Sequence, residues 1–197
     1  MSTVKRNSIP RRFRDLAILG EDVFHTRDLA NLWEIRDKNT LHTALKRYTR
    51  MGLLRRIYRG FYSLKPVEDI DPWVLGIKAI HDYAYIGAET ILFNEGIINQ
   101  PPSYITVISG QSKRYSIGLN NYYSRKMNEI YLYNPDGLLK KNGVMVSTVS
   151  RAVADMIYFN SKYYFDNDKL INWPEVKRLQ KSLGYPSLIK HNDSSQS

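Results

Sequence analysis

The sequence predicts an α+β chain of two modules, and three observations predict it. Apolar residues recur at helical spacing up to Arg50, and a short hairpin pattern rich in arginine follows. Residues 65–72, "KPVEDIDP", then break the periodicity with two prolines and several acids. Beyond that break, strand and helix patterns are intermixed.

The elements follow in order. Ile9, Phe13, Leu16 and Ala17 share a helical face, Pro10 suits a first turn, and Gly20 ends the helix. "DVFHT" is extended. Thr26 is the expected N-cap of "RDLANLWEI", whose Leu29, Leu32 and Trp33 face a core. "RDKN" is a polar turn, and Asp37 or Asn39 caps the next helix. Leu41, Ala44, Leu45 and Tyr48 form its buried stripe. Gly52 stops it. "LLRRIYRGFYSL" reads as strand, turn, strand, turning near Tyr58-Arg59-Gly60 and anchored by Leu54, Phe61 and Leu64. Three helices and a basic hairpin make a winged helix-turn-helix, followed by a mixed α/β domain.

In the second module "PWVLGIKAIHD" is a helix with Trp73, Ile77 and Ile80 on one face. "YAYIG" is a strand and "AETILFNEGI" a helix. "SYITVIS", "KRYSIGL", "EIYLYN" and "GVMVST" read as strands, with "NPDG" a turn. "VSRAVADMIYF" and "NWPEVKRLQKSL" are helices, the first with Val149, Ala152, Val153 and Met156 on its apolar side, the second capped by Asn172. The predicted organisation is residues 1–66, a linker at 67–72, a domain at 73–187, and a frayed tail at 188–197.

Charge is uneven. Residues 1–65 hold 15 Lys and Arg against 6 Asp and Glu, whereas residues 66–197 hold 14 against 13. A basic module joined to a nearly neutral one points to a polyanionic partner. A helix about 10–12 Å across fits the major groove of B-DNA, and the second helix of a helix-turn-helix enters it by its N-terminal side chains. The candidate base-edge and phosphate contacts are Asn39, Thr40, His42, Thr43, Lys46 and Arg47. Arg50 and the hairpin residues Arg55, Arg56, Tyr58 and Arg59 suit phosphate or a minor groove. The expected partner is double-stranded DNA, bound by a monomer or a DNA-assisted dimer.

Other chemistries find little support. There is no cysteine, so disulfides and thiolate metal sites are excluded. The pairs Asp69/Asp71 and Asp166/Asp168 lack a third acid in a strand. The four histidines are scattered, and no phosphate-binding or nucleophile motif is present. No cofactor, metal or enzymatic activity is expected. No apolar run approaches the roughly 20 residues of a bilayer span, and the N-terminus lacks a secretory h-region, so a cytoplasmic protein is expected. Most of the 15 tyrosines are expected in the core, a few at an interface.

"YIGAETILFNEGIINQPPSYITVISGQSKRY" (residues 85–115) and "VSTVSRAVADMIYFNSKYYFDN" (residues 146–167) resemble the AbiEi-type antitoxins of type IV toxin–antitoxin (abortive-infection) systems. The matching features are Gly87 after the strand, Glu95 to Ile98, Gln100, Ala152 and Asp155, then Tyr164, Phe165 and Asp166. The resemblance spans residues 8–185. It implies an N-terminal winged helix and a repressor of its own operon that binds inverted repeats. It also implies a C-terminal domain that counteracts a nucleotidyltransferase-like toxin without requiring a stable complex. The alternatives are a stand-alone transcription factor whose C-terminal domain senses a ligand, and a Mg²⁺-dependent nucleic-acid enzyme using Asp166 and Asp168.

Overall fold

The computed structural model describes residues 9–186 and is an α+β chain that divides into two compact units, up to residue 71 and from residue 72. Residues 1–8 and the tail expected at 188–197 lie outside the described residues. Among the described residues no helix is long and apolar enough to cross a membrane.

The first unit contains α1 (Ile9–Leu19), β1 (Val23–His25), α2 (Thr26–Leu32), α3 (Lys38–Arg50), β2 (Arg55–Tyr58) and β3 (Phe61–Ser63). β3 is the centre of a three-stranded sheet, antiparallel to both β1 and β2. The core gathers Leu16, Phe24, Leu29, Trp33, Leu45 and Tyr48, with Leu54 beneath the hairpin. Two details depart from expectation. The cap of α2 is His25, not Thr26, and the Asp28 carboxylate accepts the His25 N–H at 3.0 Å. On α1 it is Ala17 that is exposed, while Arg12 is buried. The Arg12 guanidinium donates to the Tyr48 hydroxyl at 2.7 Å and lies 5.4 Å from the centre of the Trp33 ring, which makes an interior cation tolerable.

The second unit contains α4 (Pro72–Ile80), β4 (Ala84–Ile86), α5 (Glu89–Asn94), β5 (Ile105–Ser109), β6 (Lys113–Ile117), β7 (Asn120–Lys126), α6 (Glu129–Leu132), β8 (Leu138–Lys141), β9 (Val144–Ser147), α7 (Val149–Phe159) and α8 (Trp173–Leu183). Its mixed sheet has the order β6-β7-β5-β4-β9-β8, with β5/β7 and β4/β9 parallel. "EIYLYN" is not a strand: Asn128 accepts the Ile130 N–H at 3.2 Å and starts α6. The sequence pattern makes "KRYSIGL" and "EIYLYN" partners, but β6 pairs with "NNYYSRK", which forms β7.

Alternation along a strand sets the two faces of this sheet. Gly76 of α4 packs on Val107 and Tyr122, whereas Thr90 and Glu89 of α5 bond Thr106. α4 and α5 therefore lie on opposite faces. The buried side of α4 is Leu75, Gly76, Ala79 and Ile80, with Trp73 and Ile77 only half-buried. Glycine at 76 is what lets the helix approach. A Cβ there would stand 2.6 Å from the Tyr122 ring, which stacks on Tyr115 at 5.0 Å. Gly76→Ala is expected to cost about 1–3 kcal/mol by overpacking, read as a lower melting temperature of this unit. An unchanged melt would contradict the close packing.

α7 carries a buried ion pair, Arg151–Asp155, at 2.8 Å with both side chains fully inaccessible. The Tyr85 and Tyr185 hydroxyls donate to Asp155 at 2.8 and 2.5 Å. Burial, then the Asp155 charge, pushes both phenols up from their ordinary range. A phenol whose folded pKa is raised holds its proton after the unfolded chain has lost it. Stability is then level below about pH 10 and falls above it, by up to about 1.4 kcal/mol per pH unit for each tyrosine. Denaturant melts from pH 8 to 11 are expected to show that fall. A flat profile above pH 10 would contradict it.

Candidate nucleic-acid interface

α3 begins at Asp37, whose carboxylate accepts the Thr40 N–H at 2.6 Å. Hydrogen bonding from the Thr40 hydroxyl, and then from its N–H, holds the Asp37 carboxyl below its usual range. Leu41, Leu45 and Tyr48 are buried and Ala44 half-buried, so the opposite side of the helix is fixed outward. At the back, Tyr48 packs edge-on against Phe13 and Trp33. The hairpin is tied down by Phe61, and the Thr26 N–H donates to the Gly60 carbonyl at 2.9 Å. A bulge between Arg56 and Tyr58 shifts the register of β2.

All eleven residues singled out in the sequence are exposed: Asn39, Thr40, His42, Thr43, Lys46, Arg47, Arg50, Arg55, Arg56, Tyr58 and Arg59. Five of them, His42, Lys46, Arg50, Arg56 and Arg59, line one groove of about 950 Å³ between α3 and the hairpin. Asn39, Thr43, Arg47 and Arg50 lie on an adjoining outward stripe at i, i+4, i+8 and i+11. The Arg47 guanidinium lies 5.7 Å from the centre of the Tyr48 ring, and Tyr58 packs on Phe61 at 5.1 Å. Arg55 stands apart, because strand alternation puts it on the other face of the hairpin from Arg56.

Among the described residues, none of the six cations Lys46, Arg47, Arg50, Arg55, Arg56 and Arg59 has a carboxylate within 4 Å. Two acids of this unit are paired elsewhere. Asp15 pairs with Arg11, and Asp22 with Lys65. The groove thus presents uncompensated positive charge, suited to a polyanion.

The sequence reading missed Thr26, Thr49 and Tyr62, which also line the groove. Thr49 was legible, being three residues from Lys46 on the same helix. Tyr62 was legible from the hairpin register, which sets it opposite Arg56. Thr26 carries no local signal. A second cleft of about 1000 Å³ runs between α2 and the start of α3, with Arg27, Asn31, Arg36 and Lys38 in its wall.

In the second unit, the Asp166 carboxylate accepts the Asn99 N–H at 2.8 Å and so serves a loop. No group of three or more His, Asp or Glu side chains placed to hold a metal ion occurs among the described residues.

No protein-family model matches the chain, and no curated protein matches it. Among solved structures it is similar to the crystal structure of the RV2827C protein from Mycobacterium tuberculosis, with a TM-score of 0.51. The match is 13% identical and covers 92% of this chain and 74% of that one. At that identity the likeness concerns the fold.

Proposed function

We propose that the chain is a transcriptional regulator that reads duplex DNA with a winged helix-turn-helix in residues 1–66. The supporting observation is the groove between α3 and the β2–β3 hairpin, with its cations free of carboxylate partners among the described residues. In this reading α3 lies in the major groove. Asn39, Thr40, His42, Thr43, Lys46 and Arg47 face base edges, and Arg50 and the hairpin arginines hold phosphates.

If the six cations each displace a counterion, log K falls against log salt with a slope of about −5. The AbiEi-type resemblance supports a finer proposal: a cytoplasmic antitoxin that represses its own operon at inverted repeats. In that proposal residues 73–187 counteract a nucleotidyltransferase-like toxin. Footprinting on the DNA upstream of the gene tests the regulator reading. Protection of two repeated half-sites is the expected result, and uniform or absent protection would overturn it. Co-expression with a neighbouring toxin tests the finer proposal, growth rescue being expected and failure to rescue overturning it.

A further inference from the structure

The second unit has its own charge asymmetry. Residues 72–197 hold 14 Lys and Arg against 10 Asp and Glu, an excess of four. Residues 96–128 contain no Asp or Glu at all and hold Lys113, Arg114, Arg125 and Lys126. This stretch builds β5, β6 and β7; on it Arg125 is paired with Glu89 of α5 at 2.6 Å, whereas Lys113, Arg114 and Lys126 have no carboxylate within 4 Å among the described residues.

That stretch exposes one face of the sheet beyond the helices. The register pairs Arg114 with Tyr123 and Ser116 with Asn121, and alternation puts them on the same face as Thr106. α5 meets that face at Thr106, near the middle of the sheet. Further out, Arg114, Ser116 and Asn121 are exposed and Tyr104 and Tyr123 are half-buried. The Arg114 guanidinium lies 5.4 Å from the centre of the Tyr104 ring and 5.1 Å from that of Tyr123. The two rings are 6.3 Å apart, edge to face. This is a cation–aromatic ladder on an open sheet, with Asn121 and Ser116 hydrogen-bonded beside it at 2.7 Å.

Tyr104 and Asn121 also form part of the wall of an adjoining cleft of about 320 Å³, together with Phe93, Asn94, Ser103 and Leu119. Leu119 is 98% exposed at its rim. The cleft is near the lower end of small-ligand pocket sizes, about 300 Å³. Its aromatic and apolar walls suit a flat ring, and its amides can meet the edge of one.

From the ladder, the cleft and the acid-free stretch, we infer that the β6–β7 face binds single-stranded nucleic acid. Bases stack on Tyr104, Tyr123 and the Arg114 plane, and Arg114 is the cation of this face that meets phosphate, since alternation puts Lys113 and Lys126 on the other face and Arg125 is paired with Glu89 at 2.6 Å. A duplex does not fit this chemistry, because its base faces are already stacked on each other. An acidic protein would answer the charge but would not need the ring ladder. The inference uses other residues than the duplex reading and stands or falls separately from it.

The test uses the full chain and fluorescent homopolymers of about 12 nucleotides, one of uridine and one of deoxythymidine, near the site sizes of single-strand-binding folds. Arg114→Glu and Tyr123→Leu are each expected to weaken binding at least about tenfold, while Lys177→Ala, at an exposed cation of α8, changes it less than about twofold. Arg114 is exposed, so its variant keeps the test valid if Tyr123→Leu fails to fold. The uridine and deoxythymidine arms distinguish RNA from DNA as the source of the strand. Absence of binding by either homopolymer would overturn the inference. So would equal loss in Lys177→Ala, wild-type binding by Arg114→Glu, or full displacement by inorganic polyphosphate at matched charge. The last outcome would mean that charge alone is recognised.

Discussion

Arg151→Met is expected to destabilise the second unit by about 3–5 kcal/mol. The side chain is fully buried, and its N–H groups are satisfied by fixed partners. Nε donates to Asp155, Nη1 to the Asn134 and Asp136 carbonyls, and Nη2 to the Tyr131 carbonyl and the Tyr85 hydroxyl, all between 2.7 and 3.2 Å. One guanidinium thus ties α7 to β4, to α6 and to the turn before β8. Burial opposes its charge, but Asp155 beside it holds the guanidinium pKa up.

Removing the arginine strands Asp155 as a buried charge and leaves three carbonyls without this donor. For a unit of this size the loss corresponds to a fall in melting temperature of roughly 10–20 °C, measured by calorimetry. Arg151→Met combined with Asp155→Leu is expected to cost less than the two single changes summed, because neither charge is then left alone. Additive costs would show that the pair is not coupled.

The second large effect concerns DNA. Arg47→Ala is expected to weaken operator binding by about 1–3 kcal/mol, roughly 5- to 150-fold, and to relax the preference at one base position. Arg59→Ala, at the hairpin turn, is expected to weaken all duplexes alike and to make the salt slope shallower by about 1. Both side chains are exposed, so circular dichroism should be unchanged. The contrast between the two variants is the informative result. Base contacts specify and phosphate contacts position, so identical effects on every duplex would place α3 outside the major groove.

α3 was legible because a cap, a stripe and a stop agree: Asp37, then Leu41, Ala44, Leu45 and Tyr48, then Gly52. The outward residues followed by subtraction. Arg12 was not legible, since its partner Tyr48 is 36 residues away and only tertiary packing makes an interior cation worthwhile. "EIYLYN" has the composition of a strand, but Asn128 captures the backbone of a turn instead. "NNYYSRK" opens with amides that suggest a turn, yet it becomes β7 through pairing with both β5 and β6. "LLKK" carries the lysines of an edge strand, and it forms β8 at the end of the sheet. Arg151 and Asp155 sit at the spacing of an ordinary exposed helix pair. Their burial is set by Tyr85 and Tyr185, far away in sequence.

The central claim is that the basic groove reads sequence. Its most direct test is fluorescence anisotropy with duplex DNA from the region upstream of the gene, against a shuffled duplex of equal length, across a salt series. The account predicts at least a tenfold preference for the native duplex, about 1.4 kcal/mol, that persists as salt rises. Equal affinity for the two duplexes, vanishing together as salt rises, would contradict it.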